Sequence, residues 1–327
     1  MPAHRWVRMR IEMTTNRPQS TSPLEKRAAM LSLIVAVLLL GIKFFAYFLT
    51  RSTAIFSDAL ESIVNVVAAS FALYSLSVAH RPADRDHPYG HGKIEFLSAG
   101  FEGGMILLAA VVIVVQGLDQ LVNGSSNVRQ GRLGIFLMAL AILVNGAVGL
   151  FLIRLGRRQF SLTLVADGQH LLMDAISSLA VIAGLLIVVL TDWHAADPIV
   201  AIGVALYIAW MGTYLLKQAA AGLMDRQDEA DTKMLEGILD SHIGPQGRPP
   251  FICSYHKLRH RHSGRYHWVD FHIMIPVHLN VEQGHRIASS IEYEIEQALQ
   301  IGNATAHVEP CTDEECNGCS SCNQAEG

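Results

Sequence analysis

Six long apolar runs, at 29–50, 54–78, 96–122, 133–154, 163–190 and 198–217, dominate this sequence. Crossing the roughly 30 Å hydrocarbon core of a bilayer takes about 20 residues of helix. Lipid offers no hydrogen bonds to a bare backbone, so such runs must be helices that satisfy their own amides. Only 17% of the 327 residues are charged, against about 25% in soluble domains. The apolar excess stops near residue 217, and the remainder of the chain reads as water-soluble. The reading is therefore a polytopic α-helical membrane domain of six transmembrane helices followed by a soluble domain. A net charge of −4 gives no reason to expect nucleic acid.

Loop charges set the orientation, because Lys and Arg stay on the cytosolic side. With the N-terminus inside, the inner segments hold Lys26, Arg27, Arg81, Arg85, Lys93, Arg154, Arg157 and Arg158. The outer ones hold Arg51, Arg129 and Arg132. Both termini are thus expected in the cytosol, with the protein in the cell (inner) membrane. The expected organisation is a disordered cytosolic arm over 1–28, a six-span transmembrane domain over 29–222, a soluble domain over 223–310, and a Cys-rich tail over 311–327. Within 223–310 the periodicity predicts helix 228–242, strands 251–259 and 267–275 with a turn at Ser263-Gly264, helix 281–300 and a short strand 304–309. The order αββαβ suits a ferredoxin-like α+β sheet, with helices on one face and the other face open to a partner.

Ionisable residues at membrane depth are costly and point to function. The second run carries Asp58, Glu61 and Asn65, and the fifth carries Asp167, His170 and Asp174. Each set has i, i+3, i+7 spacing and so lines one helix face. Glu61 and Asn65 facing His170 and Asp174 would give one ion four ligands. Two carboxylates balance a 2+ charge, while imidazole and amide complete the shell without adding charge. Polar groups also tie helices together inside bundles, and that reading fits Asp58 and Asp167 equally well.

Three further clusters stand out. The loop 81–93 brings Asp84, His87 and His91 close enough in sequence to wrap a metal. The soluble part holds nine histidines, of which His256, His272, His285 and His307 could converge beside Glu309. His260, His262 and His278 read as surface histidines. The tail spaces Cys311, Cys316, Cys319 and Cys322 as a thiolate metal site would, or as a flexible metal scavenger.

Taken together, the run from Arg81-Pro82-Ala83-Asp84 through His87 to Gly90-His91-Gly92-Lys93-Ile94-Glu95, the six spans and the polar pairs resemble the cation diffusion facilitator family of divalent metal/proton antiporters. The resemblance covers residue 28 to Cys311. It implies a transport site of Glu61, Asn65, His170 and Asp174, and a loop site of Asp84, His87 and His91. It also implies a cytosolic site of His256, His272, His285, His307 and Glu309, a homodimer, and an interlock between membrane and soluble domains at Lys93 and Asp225. Zinc-selective members carry a second Asp in the span-2 pair, where this chain has Asn65, and the Cys-rich tail is not a general family feature.

The expected function is export of a divalent cation by alternating access, with protons as counter-substrate. Zinc leads on ligand type, with iron(II), cobalt, nickel, manganese and cadmium open. Divalent metal is expected both as substrate and as a regulatory ligand of the soluble domain. An enzyme is not expected, because the chain has no His-Glu-x-x-His and no nucleophile paired with a base. A membrane metal sensor that does not transport is the alternative, although a sensor needs no ligands at membrane depth.

Overall fold

The computed structural model describes residues 23–50, 53–123, 132–191, 193, 195–244, 247–299 and 301–311. Within these, the side chains at 23, 49–50, 53–61, 132–135, 181, 184, 185, 189 and 197 are not described. The chain divides into two compact units, Met1–Leu216 and Lys217–Gly327.

The first unit is helical: α1 (Pro23–Thr50), α2 (Thr53–Ala79), α3 (Ile94–Asn123), α4 (Arg132–Gln159), α5 (Leu162–Thr191) and α6 (Ala196–Leu223). Among the described residues, five of these hold stretches long and apolar enough to cross a membrane. Helix α5, at 30 residues, is about 45 Å long. Their outward faces are apolar, with Leu38, Phe45, Val115, Leu143, Leu186 and Trp210 all exposed. Such a surface suits lipid and no aqueous medium. Pro23 opens α1, a position where its missing N–H costs nothing, so the helix takes in residues 23–28, which the sequence pattern places in the arm.

Helices α4 and α5 pack most extensively, followed by α1 with α2, α3 with α5, and α2 with α3. Small residues permit the α4–α5 approach. A Cβ on Gly168 would lie 2.7 Å from the Gly149 carbonyl oxygen, too near for any side chain, and in lipid such close packing takes the place of hydrophobic drive. A cluster of Ala28, Ala29, Leu76, Leu152, Leu164 and Leu171 joins α1, α2, α4 and α5.

The second unit holds α7 (Glu229–Asp240), β1 (Ser254–Ser263), β2 (Tyr266–Pro276), α8 (Val281–Leu299) and β3 (Gly302–Cys311). Asp228 caps α7 by accepting from the amides of Ala230 and Asp231. Asn280 and Gln283 cap α8 reciprocally, each side chain taking the other's backbone N–H at 2.9 Å, as in a capping box. The sheet order is β1-β2-β3, with β1 antiparallel and β3 parallel to β2. Val269, Phe271, Ile273 and Ile275 of β2 face Leu235 and Leu239 of α7 and Ala288, Ile291 and Ile295 of α8. Both helices therefore cover one face, as the αββαβ pattern predicts.

Candidate metal centres

Side chains of α2 and α5 meet inside the helical unit. Asn65 Nδ2 donates to Asp174 Oδ2 at 2.6 Å, and Asn65 Oδ1 lies 3.1 Å from His170 Nε2. Three of the four polar groups that the i, i+4 spacing selects on these helices thus form one hydrogen-bonded junction. His170 is buried and the other two are half-buried. Asp167 is buried beside Ser32 of α1 and within electrostatic reach of His170 and Asp174. Glu61, expected as the fourth ligand, and Asp58 lie outside the described side chains.

One further carboxylate adjoins this junction. Glu102 of α3 is fully buried, and neither of its carboxylate oxygens has a hydrogen-bond partner among the described residues. It interacts electrostatically with His170, Asp167 and Asp174. Sequence reasoning misses it, although a lone Glu in the apolar run 96–122 is the available signal.

The loop between α2 and α3 brings Asp84, His87 and His91 together. Asp84 Oδ1 lies 3.2 Å from His87 Nδ1, and Oδ2 lies 3.3 Å from His91 Nε2. The backbone amides of Asp86 and His87 also donate to Asp84 Oδ1, at 3.0 and 2.7 Å. The His87 amide is the main reason the Asp84 carboxyl sits below its usual range, so it is ionised and available to a cation.

On the sheet face away from the helices, His256, His272 and His307 stand in register across β1, β2 and β3. Glu309 gathers them: its carboxylate is 2.7 Å from His272 Nδ1, 3.2 Å from His256 Nε2 and 3.7 Å from His307 Nε2. The bond from His272 is the leading cause that lowers the Glu309 pKa. His285 does not join this row; it is exposed on α8, which packs on the opposite face. Cys311 is buried at the end of β3, held by strand register rather than free in a tail. Cys316, Cys319 and Cys322 lie outside the described residues. Asp225 pairs with Arg261 at 3.6 Å.

The histidines expected at the surface need correction. His260 is buried and His262 bonds Asp231 at 2.9 Å; of the three, His278 alone is exposed as expected. A backbone irregularity in β1 explains the difference. Between His256 and Arg259 the register with β2 shifts by one residue, with Lys257 at φ 51°. A bulge of this kind turns the following side chains to the other face. Burial in turn holds the His260 pKa below its usual value and, with His262 nearby, pushes that of His267 down to about 4.

The chain is similar to known proteins over most of its length. Residues 29–224 match the cation efflux transmembrane domain, and residues 250–311 match the cytoplasmic domain of cation efflux proteins. An uncharacterized transporter of Synechocystis sp. (sll1263) is 35% identical over 90% of this chain and 93% of its own length. The cation-efflux pump FieF of Shigella flexneri is 28% identical over 90% of this chain and 95% of its own length. The FieF of Citrobacter koseri is 28% identical with the same coverage.

Proposed function

The chain belongs to the cation efflux family, and from that premise we propose that it exports a divalent transition metal, zinc first, in exchange for protons by alternating access. It is an integral membrane protein and a metal cation efflux transporter, not an enzyme, and its cytoplasmic domain is of the dimerising kind. The finer reading rests on one observation above all. An amide, an imidazole and a carboxylate from two helices meet at one point inside the helical unit.

In the proposed site Asn65, His170 and Asp174 are ligands, Glu61 is the fourth, and Glu102 supplies charge balance. An imidazole must give up its proton to bind metal, which couples metal entry to proton release. By the electrical work alone, each proton moving inward offsets half of what moving a 2+ ion outward requires, so further protons or the pH gradient must supply the rest. Asp84, His87 and His91 form a loop site in this reading. His256, His272, His307 and Glu309 form a cytoplasmic site at which metal regulates a homodimer. His285 could reach that site only from a second copy. Cys311, with Cys316, Cys319 and Cys322, is proposed to sense or deliver metal. Both termini are placed in the cytosol and the protein in the cell membrane.

Zinc, iron(II), cobalt, nickel, manganese and cadmium uptake into proteoliposomes with an imposed pH gradient tests the proposal. Gradient-dependent uptake of one ion, abolished by Asp174→Ala, is the expected result. Absence of flux for every ion, with metal binding retained, would overturn it and leave a metal sensor.

A further inference from the structure

A second polar cluster lies in the cytoplasmic domain, on the helix-covered side of the sheet and away from the Glu309 row. Donor atoms of Asp231 (α7), His260 (β1) and His267 (β2) all fall within 4.8 Å of one another. His260 and His267 are buried, at 3% and 4% exposure. His262 completes the group, with its Nε2 2.9 Å from Asp231 Oδ2 and its ring stacked 4.0 Å from that of His267.

Close contacts link the group to α7 and across the hairpin. The Thr232 hydroxyl lies 2.8 Å from both the Asp228 carbonyl oxygen and His260 Nε2. His260 Nδ1 lies 2.9 Å from His267 Nε2, and His267 Nδ1 lies 4.0 Å from Asp231 Oδ2. Ligand atoms about 2.0–2.1 Å from zinc stand about 3.3 Å apart in a tetrahedron, so small side-chain rotations would close this group on an ion.

We propose that Asp231, His260 and His267, with His262 as the fourth ligand, form a second metal site in the cytoplasmic domain, which takes a zinc-like divalent cation and ties α7 to the β1–β2 hairpin. Three imidazoles and one carboxylate suit a borderline tetrahedral ion such as zinc or cobalt(II) better than magnesium or calcium. The site joins Asp231 of α7 to three histidines of the β1–β2 hairpin about 30 residues further along the chain, so occupancy there stabilises the domain's fold. The proposal is independent of whether the protein transports.

The test is the number of zinc ions held per chain by full-length protein in detergent after equilibrium dialysis. Wild type is compared with Asp231→Asn, His260→Ala and the exposed control His278→Ala. The expected result is one ion fewer per chain in the first two variants, no change in the control, and loss of one set of cobalt(II) d–d bands on substitution with cobalt. Should His260→Ala fail to fold, Asp231→Asn decides, because it keeps the side chain's volume. An ion count and cobalt spectrum unchanged in folded Asp231→Asn would overturn the site. Loss of proton-driven flux has no bearing on this count, so failure of this proposal and failure of the transport reading are separable.

Discussion

His256 and His260 stand four residues apart on β1 yet face opposite sides of the sheet: His256 pairs with His272 on the open face, His260 with Val269 on the helix-covered face. The period-two rule puts residues i and i+4 of a strand on one side. The register shift around Lys257 breaks that rule, and it separates two histidine clusters that the sequence presents as one.

Lys257 holds the shift in place with a left-handed φ of 51°, which costs a residue with a Cβ about 1–2 kcal/mol. Glycine adopts that φ freely but loses more entropy on folding. Lys257→Gly is therefore expected to be neutral or stabilising by up to about 1 kcal/mol, and Lys257→Ile to be destabilising. Urea midpoints of the cytoplasmic domain in metal-free buffer check both. A Lys257→Ile midpoint at or above wild type would mean that the bulge is not under backbone strain.

The buried His267 gives the cytoplasmic domain a pH dependence with a defined sign. Its folded pKa, about 4, lies below the ordinary histidine value of 6.5, so the unfolded chain binds the extra proton first. Stability falls as pH drops from about 6.5 to about 4 and is unaffected by this group above that window. The full effect is on the order of 3 kcal/mol. Thermal unfolding from pH 7.5 to 4.5, with chelator present, should give a falling Tm in wild type and a flatter profile in His267→Gln. Equal slopes would assign the acid sensitivity to other groups.

At Gly168 an added methyl would meet the Gly149 carbonyl oxygen at 2.7 Å and Ile153 Cγ1 at 2.8 Å. Helices α4 and α5 must then part, and His170 and Asp174 ride on α5 just beyond. Gly168→Ala is expected to cost about 1–3 kcal/mol in overpacking and to cut metal flux several-fold or more. Gly203→Ala on α6, where the methyl enters open space, is the matched control. Flux in proteoliposomes reads both variants, and equal flux would mean that the α4–α5 contact does not position the site.

The fold was largely legible, and the reason is physical. Runs of about 20 apolar residues have few solutions, and the αββαβ periodicity admits few topologies. Asn65, His170 and Asp174 were legible because a polar stripe inside an apolar helix is costly and therefore conspicuous. Glu102 was harder: one acid among the three on α3 gains meaning only when packing brings α3 against α5. The cluster at His260 and His267 depends on one backbone irregularity, and composition and periodicity carry no trace of it.

Glu102 is fully buried, with both oxygens unpartnered among the described residues, a condition that burial penalises. Glu102→Gln keeps the shape and removes the charge. Charge balance at the transport site predicts at least about a tenfold loss of apparent metal affinity, the lower range for groups that support a metal ligand. It also predicts a flatter dependence of flux on the imposed pH gradient. Flux curves at several metal concentrations and gradients separate the two effects. Wild-type behaviour in both would make Glu102 a packing residue.

Asn65 donates its amide N–H to Asp174 at 2.6 Å, and an aspartate in its place could not. Two carboxylates at that separation are held together by a shared proton. The metal-free site of Asn65→Asp should therefore carry up to one proton more, and an arriving ion must displace it. Calorimetry in buffers of different ionisation enthalpy counts the protons released per zinc bound, and the expected result is a rise toward one additional proton in the variant. Asn65→Ala, which removes a ligand without adding a charge, should bind at least about tenfold more weakly and leave the proton count unchanged. An unchanged count in Asn65→Asp would mean that position 65 does not set the coupling between metal and protons.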